Sequence, residues 1–154
     1  MSIITISAIY TTGRRSGKAF CIQIDNVRYL LTVAHCIQNA KTIKYKYNSK
    51  TYYTEVIYCN NQYDLALLKC LDILIPITLS NLDLTRSYLY NNNELVDVIA
   101  TDAIYPGESG SPVIINAVAI GIAIGQTDDL SYIISSEIIN CFISTYSKLT
   151  KIAF

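Results

Sequence analysis

The chain holds a single histidine, His35. Any chemistry that needs an imidazole must use that residue. Charge is scarce and balanced, with 12 Lys and Arg against 12 Asp and Glu and 16% charged residues in all. A net charge of zero argues against non-specific binding to nucleic acid or to an anionic membrane. No stretch reaches the roughly 18 apolar residues of a membrane helix; the longest run, 113–124, is broken by Asn116 and Gly121. At the N-terminus, Arg14 and Arg15 follow the apolar part, the reverse of a secretory leader. The expectation is a cytoplasmic protein, or a secreted one if a leader has been removed. The five cysteines (21, 36, 59, 70 and 141) are odd in number and fit no closed disulfide framework. Their spacings, with one histidine, point away from a zinc site, and no metal or cofactor is expected. No internal repeat or low-complexity segment breaks the chain.

What is present favours sheets. Hydrophobic residues make up 51% of the 154, led by Ile, Val, Leu and 13 Tyr. Branched and aromatic side chains suit a pleated surface. A chain of this length buries roughly two thirds of its unfolded surface. Short segments read as strands: 3–7, 19–24 and 28–33 around an Asp25-Asn26 turn, and 42–47 and 51–58 around Asn48-Ser49. Further strands fall at 64–70, 75–79, 95–101, 111–115, 117–124 and 130–135, whereas 11–18, with Gly13 and Gly17, reads as a loop. Strands this short and frequent suggest a barrel or sandwich. One amphipathic helix is expected over 136–149, capped by Ser135 or Ser136, with Glu137 in its first turn. Its packed stripe is Ile138, Phe142, Tyr146 and Leu149, and Cys141 is read as packing too. Lys41, Lys44, Lys46 and Lys50 are interleaved with Tyr45 and Tyr47. This is either a solvated edge strand or a single-stranded nucleic-acid surface, and the former is the simpler reading.

Three segments carry chemistry, in the order His, Asp, Ser. Residues 107–112 (Gly-Glu-Ser-Gly-Ser-Pro) set Ser109 in a glycine-flanked turn leading into a strand. A serine hydroxyl needs a base to become a nucleophile. The backbone N–H groups of Gly107 and Ser109 suit an oxyanion hole, where losing one donor costs on the order of 3 kcal/mol. The alternative is an ordinary structural turn. His35 ends an apolar strand, where a histidine is usually a packed core residue, but the Ser109 turn has no other imidazole to use. Asp64 heads a core strand and is either a turn residue or the acceptor of the imidazole N–H. Asp25, Asp72, Asp83, Asp97 and Asp102 are its rivals.

Residues 32–36 (Thr-Val-Ala-His-Cys) resemble the histidine motif of chymotrypsin-like serine proteases. Residues 64–68 (Asp-Leu-Ala-Leu-Leu) resemble their aspartate motif, and residues 107–112 their Gly-Asp-Ser-Gly-Gly-Pro signature. Residues 17–22, 101–109, 119–125 and 132–146 are similar to segments of Deg-type bacterial proteases, so the likeness spans nearly the whole chain. Compact viral serine proteases are comparably small. The resemblance implies an all-β chain of two six-stranded antiparallel barrels, about 1–70 and about 71–154, the second carrying the C-terminal helix. It implies a serine endopeptidase acting on polypeptides as a monomer, with His35, Asp64 and Ser109 as the triad. Substrate would lie against Ala103, Ile104 and Tyr105 on one side and Ile122, Ala123, Ile124, Gly125 and Gln126 on the other. With no acid at the pocket base and Ala123 where glutamyl endopeptidases carry His, an apolar or small P1 residue is expected; Asp102 is the nearest acid.

Cys21 and Cys36 occupy the positions of the family's disulfide beside the base; a 16-residue loop closed this way would contribute about 3 kcal/mol, whereas in a reducing compartment the two would be facing thiols, and the bond itself is left open. Two departures stand out. Glu108 replaces Asp before the nucleophile, so activation through a freshly cut N-terminus is in doubt, and Ser111 replaces the second Gly, as in staphylococcal glutamyl endopeptidases. The alternatives are a dedicated protease that cuts one precursor or partner, and a catalytically silent binding module on the same fold.

Overall fold

The computed structural model describes residues 3–70, 74–80, 89–92, 97–99, 108–115, 117–126 and 131–152. The first seven strands are β1 (Ile3–Tyr10), β2 (Gly13–Ile24), β3 (Val27–Val33), β4 (Thr42–Tyr47), β5 (Lys50–Thr54), β6 (Val56–Asn60) and β7 (Leu65–Lys69). They form one antiparallel sheet in the order β5-β4-β1-β2-β3-β7-β6. β8 (Leu89–Asn92), β9 (Asp97–Ile99), β10 (Pro112–Ile115), β11 (Val118–Gln126) and β12 (Ser131–Ser135) form a second, in the order β10-β11-β12-β9-β8. One helix, α1 (Ser136–Ile152), follows.

Local chemistry explains these elements. Asp25 and Asn26 have φ of 48° and 69°, and Asn48 and Ser49 have 50° and 65°. Two successive left-handed residues make the two-residue turns whose twist matches paired strands. β1 alternates, burying Ile4, Ile6 and Ala8, as a strand with one wet face should. β3 and β7 lack that alternation: residues 30–33 and 65–68 are all buried. Their outer surface is covered, since β11 packs on β3 and α1 reaches across to Tyr29 and Tyr58.

The expected all-β architecture with a C-terminal helix holds, with seven strands in the first sheet and five in the second among the described residues. The expected strand over 51–58 bends at Glu55, whose carbonyl accepts the Lys69 N–H at 3.0 Å. That contact ties β7 to the bend between the two outermost strands and curls the sheet into a barrel. The expected loop over 11–18 is mostly strand, because Gly17 serves packing: a Cβ there would lie 2.8 Å from the Cys36 Sγ. The segment read as a strand at 75–79 contributes only a bridge from Leu79 to Ala119. It still links the sheets, since Ile77 N–H donates to Cys21 and Ala119 N–H donates to Thr78.

α1 begins where the Ser135 hydroxyl accepts the Ile138 N–H at 3.3 Å, an N-cap bond. Ile139 and Phe142 are fully buried. Cys141 is exposed and Leu149 is 50% exposed, which corrects the packing expected for both: the helix outruns the surface that it covers. Phe142 packs on Tyr58 and Tyr63, and Tyr146 meets Tyr29 edge-on with their hydroxyls 3.0 Å apart. A helix that follows the second sheet is thereby fastened to the first.

Candidate active site

Sheet register brings His35 and Asp64 together. β3 and β7 pair with Val33 opposite Leu65, so the residues after Val33 and before Leu65 are neighbours. His35 lies in a single 3-10 turn, Ala34–Cys36. Asp64 has φ of 58°, a left-handed conformation that Asp tolerates better than most residues. The Asn60 side-chain oxygen shapes this turn by accepting the N–H groups of Gln62 (3.0 Å) and Tyr63 (3.2 Å). Asp64 then holds the base turn at three points. Its carbonyl accepts Ala34 N–H at 2.9 Å. Its carboxylate accepts His35 N–H at 2.8 Å and His35 Nδ1–H at 2.6 Å. The first two fix the backbone, and the third fixes the ring and leaves Nε2 free to take a proton.

The carboxylate holds the His35 pKa well above its ordinary 6.5, the Cys36 thiol adds to the effect, and burial opposes both. On the outer side, the Arg15 guanidinium donates to the His35 carbonyl at 3.0 Å and lies 5.1 Å over the Tyr10 ring. Sequence reading missed Arg15. Its link to His35 spans 20 residues and becomes visible only once β2 and β3 are in register.

Ser109 sits in a turn clamped between the two sheets. Its carbonyl accepts Lys18 N–H at 2.7 Å, and Gly110 N–H donates to Ala123 at 2.8 Å. Gly110 has φ of 98°, and a Cβ there would collide with the Lys18 carbonyl, so only glycine fits. Gly17 lies between the His35 and Ser109 turns: the Cys36 Sγ and the Ser109 carbonyl oxygen lie 2.8 and 3.2 Å from the point where its Cβ would be. The Ser109 hydroxyl donates to the Ile124 carbonyl at 3.0 Å. Glu108 has a local partner, since the Ser111 hydroxyl donates to its carboxylate at 3.0 Å while Ser111 N–H donates to its carbonyl at 3.0 Å. The two departures from the family motif are thus bonded to each other.

Among the rival acids, Asp25 accepts from Ser147 on α1 and Asp97 lies in β9; Asp72, Asp83 and Asp102 lie outside the described residues. So do Gly107, Ala103, Ile104 and Tyr105. Ile122 and Ala123 are buried, Ile124 and Gly125 are half-buried, and Gln126 ends β11. β10 pairs with β11 no further than Ile122, and Ala123 meets the 110–111 turn. Beyond it, no described strand pairs with that edge at 124–126.

The disulfide implied for Cys21 and Cys36 is not formed, and both are free thiols. The Cys21 thiol instead shares a hydrogen bond with that of Cys70, which together with burial pushes its pKa up. Cys36 rests against Gly17, four residues from Cys21 along β2. At about 3.3 Å per residue this is roughly 13 Å, beyond disulfide reach.

No family model and no curated protein matches the chain in sequence. Solved structures do match it in shape. A protease from M. tuberculosis in its active form superposes with a TM-score of 0.75 at 16% identity, over 90% of this chain and 78% of that one. A human pathogenic astrovirus serine protease gives 0.64 at 17% identity, over 86% and 88%. A serine endoprotease from Yersinia pestis gives 0.69 at 16% identity, over 93% and 61%. With its two antiparallel sheets, C-terminal helix and clamped serine turn, this chain has the fold of the chymotrypsin-like serine proteases.

Proposed function

We propose that the protein is a serine endopeptidase in which Ser109 is the nucleophile, His35 the general base and Asp64 the residue that orients it. The observation that carries this reading is the double clamp of one carboxylate on the backbone and ring of the only histidine, beside a serine turn that only glycine can complete. His35 Nε2 takes the Ser109 proton as the hydroxyl attacks the scissile carbonyl. The resulting imidazolium is stabilised by Asp64. The N–H groups of Gly107 and Ser109 hold the oxyanion. His35 then returns the proton to the leaving amine, and water repeats the cycle on the acyl-enzyme.

The β10-side edge at 124–126, along which no described strand runs, suits an extended peptide added as a further strand. Apolar walls at Ile122 and Ala123 favour an apolar or small P1 residue, with discrimination of roughly 1–3 kcal/mol per methylene. A single dedicated substrate is compatible with the same site. One observation favours a silent module instead, the Ser109 hydroxyl bonded to Ile124 and not to His35. Cleavage of a peptide library, read by mass spectrometry, separates the readings. Products ending in apolar or small residues, lost in Ser109→Ala, are expected. No cleavage supports the silent module, and products ending in Lys, Arg or Glu overturn the P1 assignment.

A further inference from the structure

The zero net charge of the chain is the sum of two opposed halves. Residues 1–70 carry nine Lys and Arg against three Asp and Glu, whereas residues 71–154 carry three against nine. Much of the excess positive charge lies on one outer face of the first sheet. Alternation turns Ile4, Ile6, Ile43 and Tyr45 inward, so their neighbours Thr5, Ser7, Lys44 and Lys46 turn outward. Register lines them up across four strands: Ser7 pairs with Ser16 and with Lys44, and Lys44 pairs with Tyr53. Lys18 reaches over the same face to donate to the Thr5 hydroxyl at 2.7 Å.

An open depression of about 680 Å³ lies here, lined by Thr5, Ser7, Arg14, Lys44, Lys46 and Asn48 among others, with no Asp or Glu among its described lining residues. The one ion pair among the described residues is His35–Asp64. Arg14, Lys44 and Lys46 therefore meet no carboxylate among the described residues. Uncompensated cations around one hollow repel each other and attract an anion.

We propose that this face binds single-stranded nucleic acid. The cations alone would suit any polyanion. Tyr53 narrows the choice: it is 63% exposed, directly cross-strand from Lys44, and offers a ring on which an unpaired base can stack beside its phosphate. Hydroxyl and amide donors at Thr5, Ser7 and Asn48 suit phosphate and sugar oxygens. The interleaved Tyr45 is not the stacking residue, because it points into the core at 2% exposure.

Fluorescence anisotropy of a labelled oligouridylate with the full chain tests this. Binding is expected at about 50 mM salt, weakening with a log–log slope of about −2 to −3, the release expected from three to four phosphates. Lys44→Gln/Lys46→Gln should weaken binding at least about tenfold and make the slope shallower by about 1.4. Tyr53→Ala should weaken binding with the slope unchanged. Lys148→Gln/Lys151→Gln, on α1, should bind as the unsubstituted protein does. The Tyr53 variant alters an exposed side chain and keeps the test decisive if the double lysine variant fails to fold. No binding at low salt would overturn the proposal, as would binding indifferent to both Lys44/Lys46 and Tyr53. So would capture of polyglutamate or anionic vesicles by a protein that ignores the oligonucleotide.

Discussion

His35 is the residue on which the site turns, and as the only histidine it reports on itself. Its imidazole should titrate as a single set of NMR resonances with a midpoint above 6.5, because Asp64 favours the charged ring. Asp64→Asn should bring that midpoint down. The sign for stability follows. A folded pKa above the unfolded one adds stability that is fully present below about pH 6.5 and is lost as the pH rises through the folded value. The urea midpoint of the unsubstituted protein should therefore exceed that of Asp64→Asn most at pH 6, with the gap closing in alkaline solution. Gly110 makes a second prediction. Ala at φ of 98° against the Lys18 carbonyl should cost about 3 kcal/mol or more, read as a loss in urea midpoint. The His35 and Ser109 turns stand out in sequence because each sits in a distinctive local pattern. Arg15 and the Glu108–Ser111 bond do not, because a side chain's partner depends on register and turn geometry that no local pattern encodes.

At the scale of elements, two pieces hold the site in shape. The first is the turn at 108–111, closed by main-chain and side-chain bonds from Ser111 to Glu108. Ser111→Ala removes a hydrogen bond to a carboxylate worth about 1.5 kcal/mol. It should lower kcat by about tenfold with little change in KM, and Ser111→Thr should restore much of the loss. A fall in KM affinity alone would mean that the bond shapes the substrate cleft instead. The second is α1, whose Phe142 fills an aromatic cluster with Tyr58, Tyr63 and Tyr146. Phe142→Ala should destabilise by about 3–5 kcal/mol, measured by urea unfolding. The period-three and period-four stripe made this helix readable in advance. The long strand β2 was not, since Gly13 and Gly17 look like loop punctuation when only the sequence is seen. Gly17 is small so that Cys36 and Ser109 can approach it, a requirement set by segments 19 and 92 residues away.

For the whole molecule, the first sheet supplies His35 and Asp64 from two paired strands, and the second supplies Ser109 on the turn before β10. The sheets meet through Lys18, Gly110, Ile77 and Cys21, and α1 straps them together. The proposed site thus straddles a junction, and neither sheet alone contains all three of its residues. Intact mass spectrometry after treatment with a phosphonofluoridate probes that junction at its reacting atom. One covalent adduct, mapped to Ser109 in the folded protein and lost in His35→Ala, is the predicted result. An unlabelled folded protein, or an adduct elsewhere on the chain, would contradict the assignment of Ser109 as a nucleophile activated by His35.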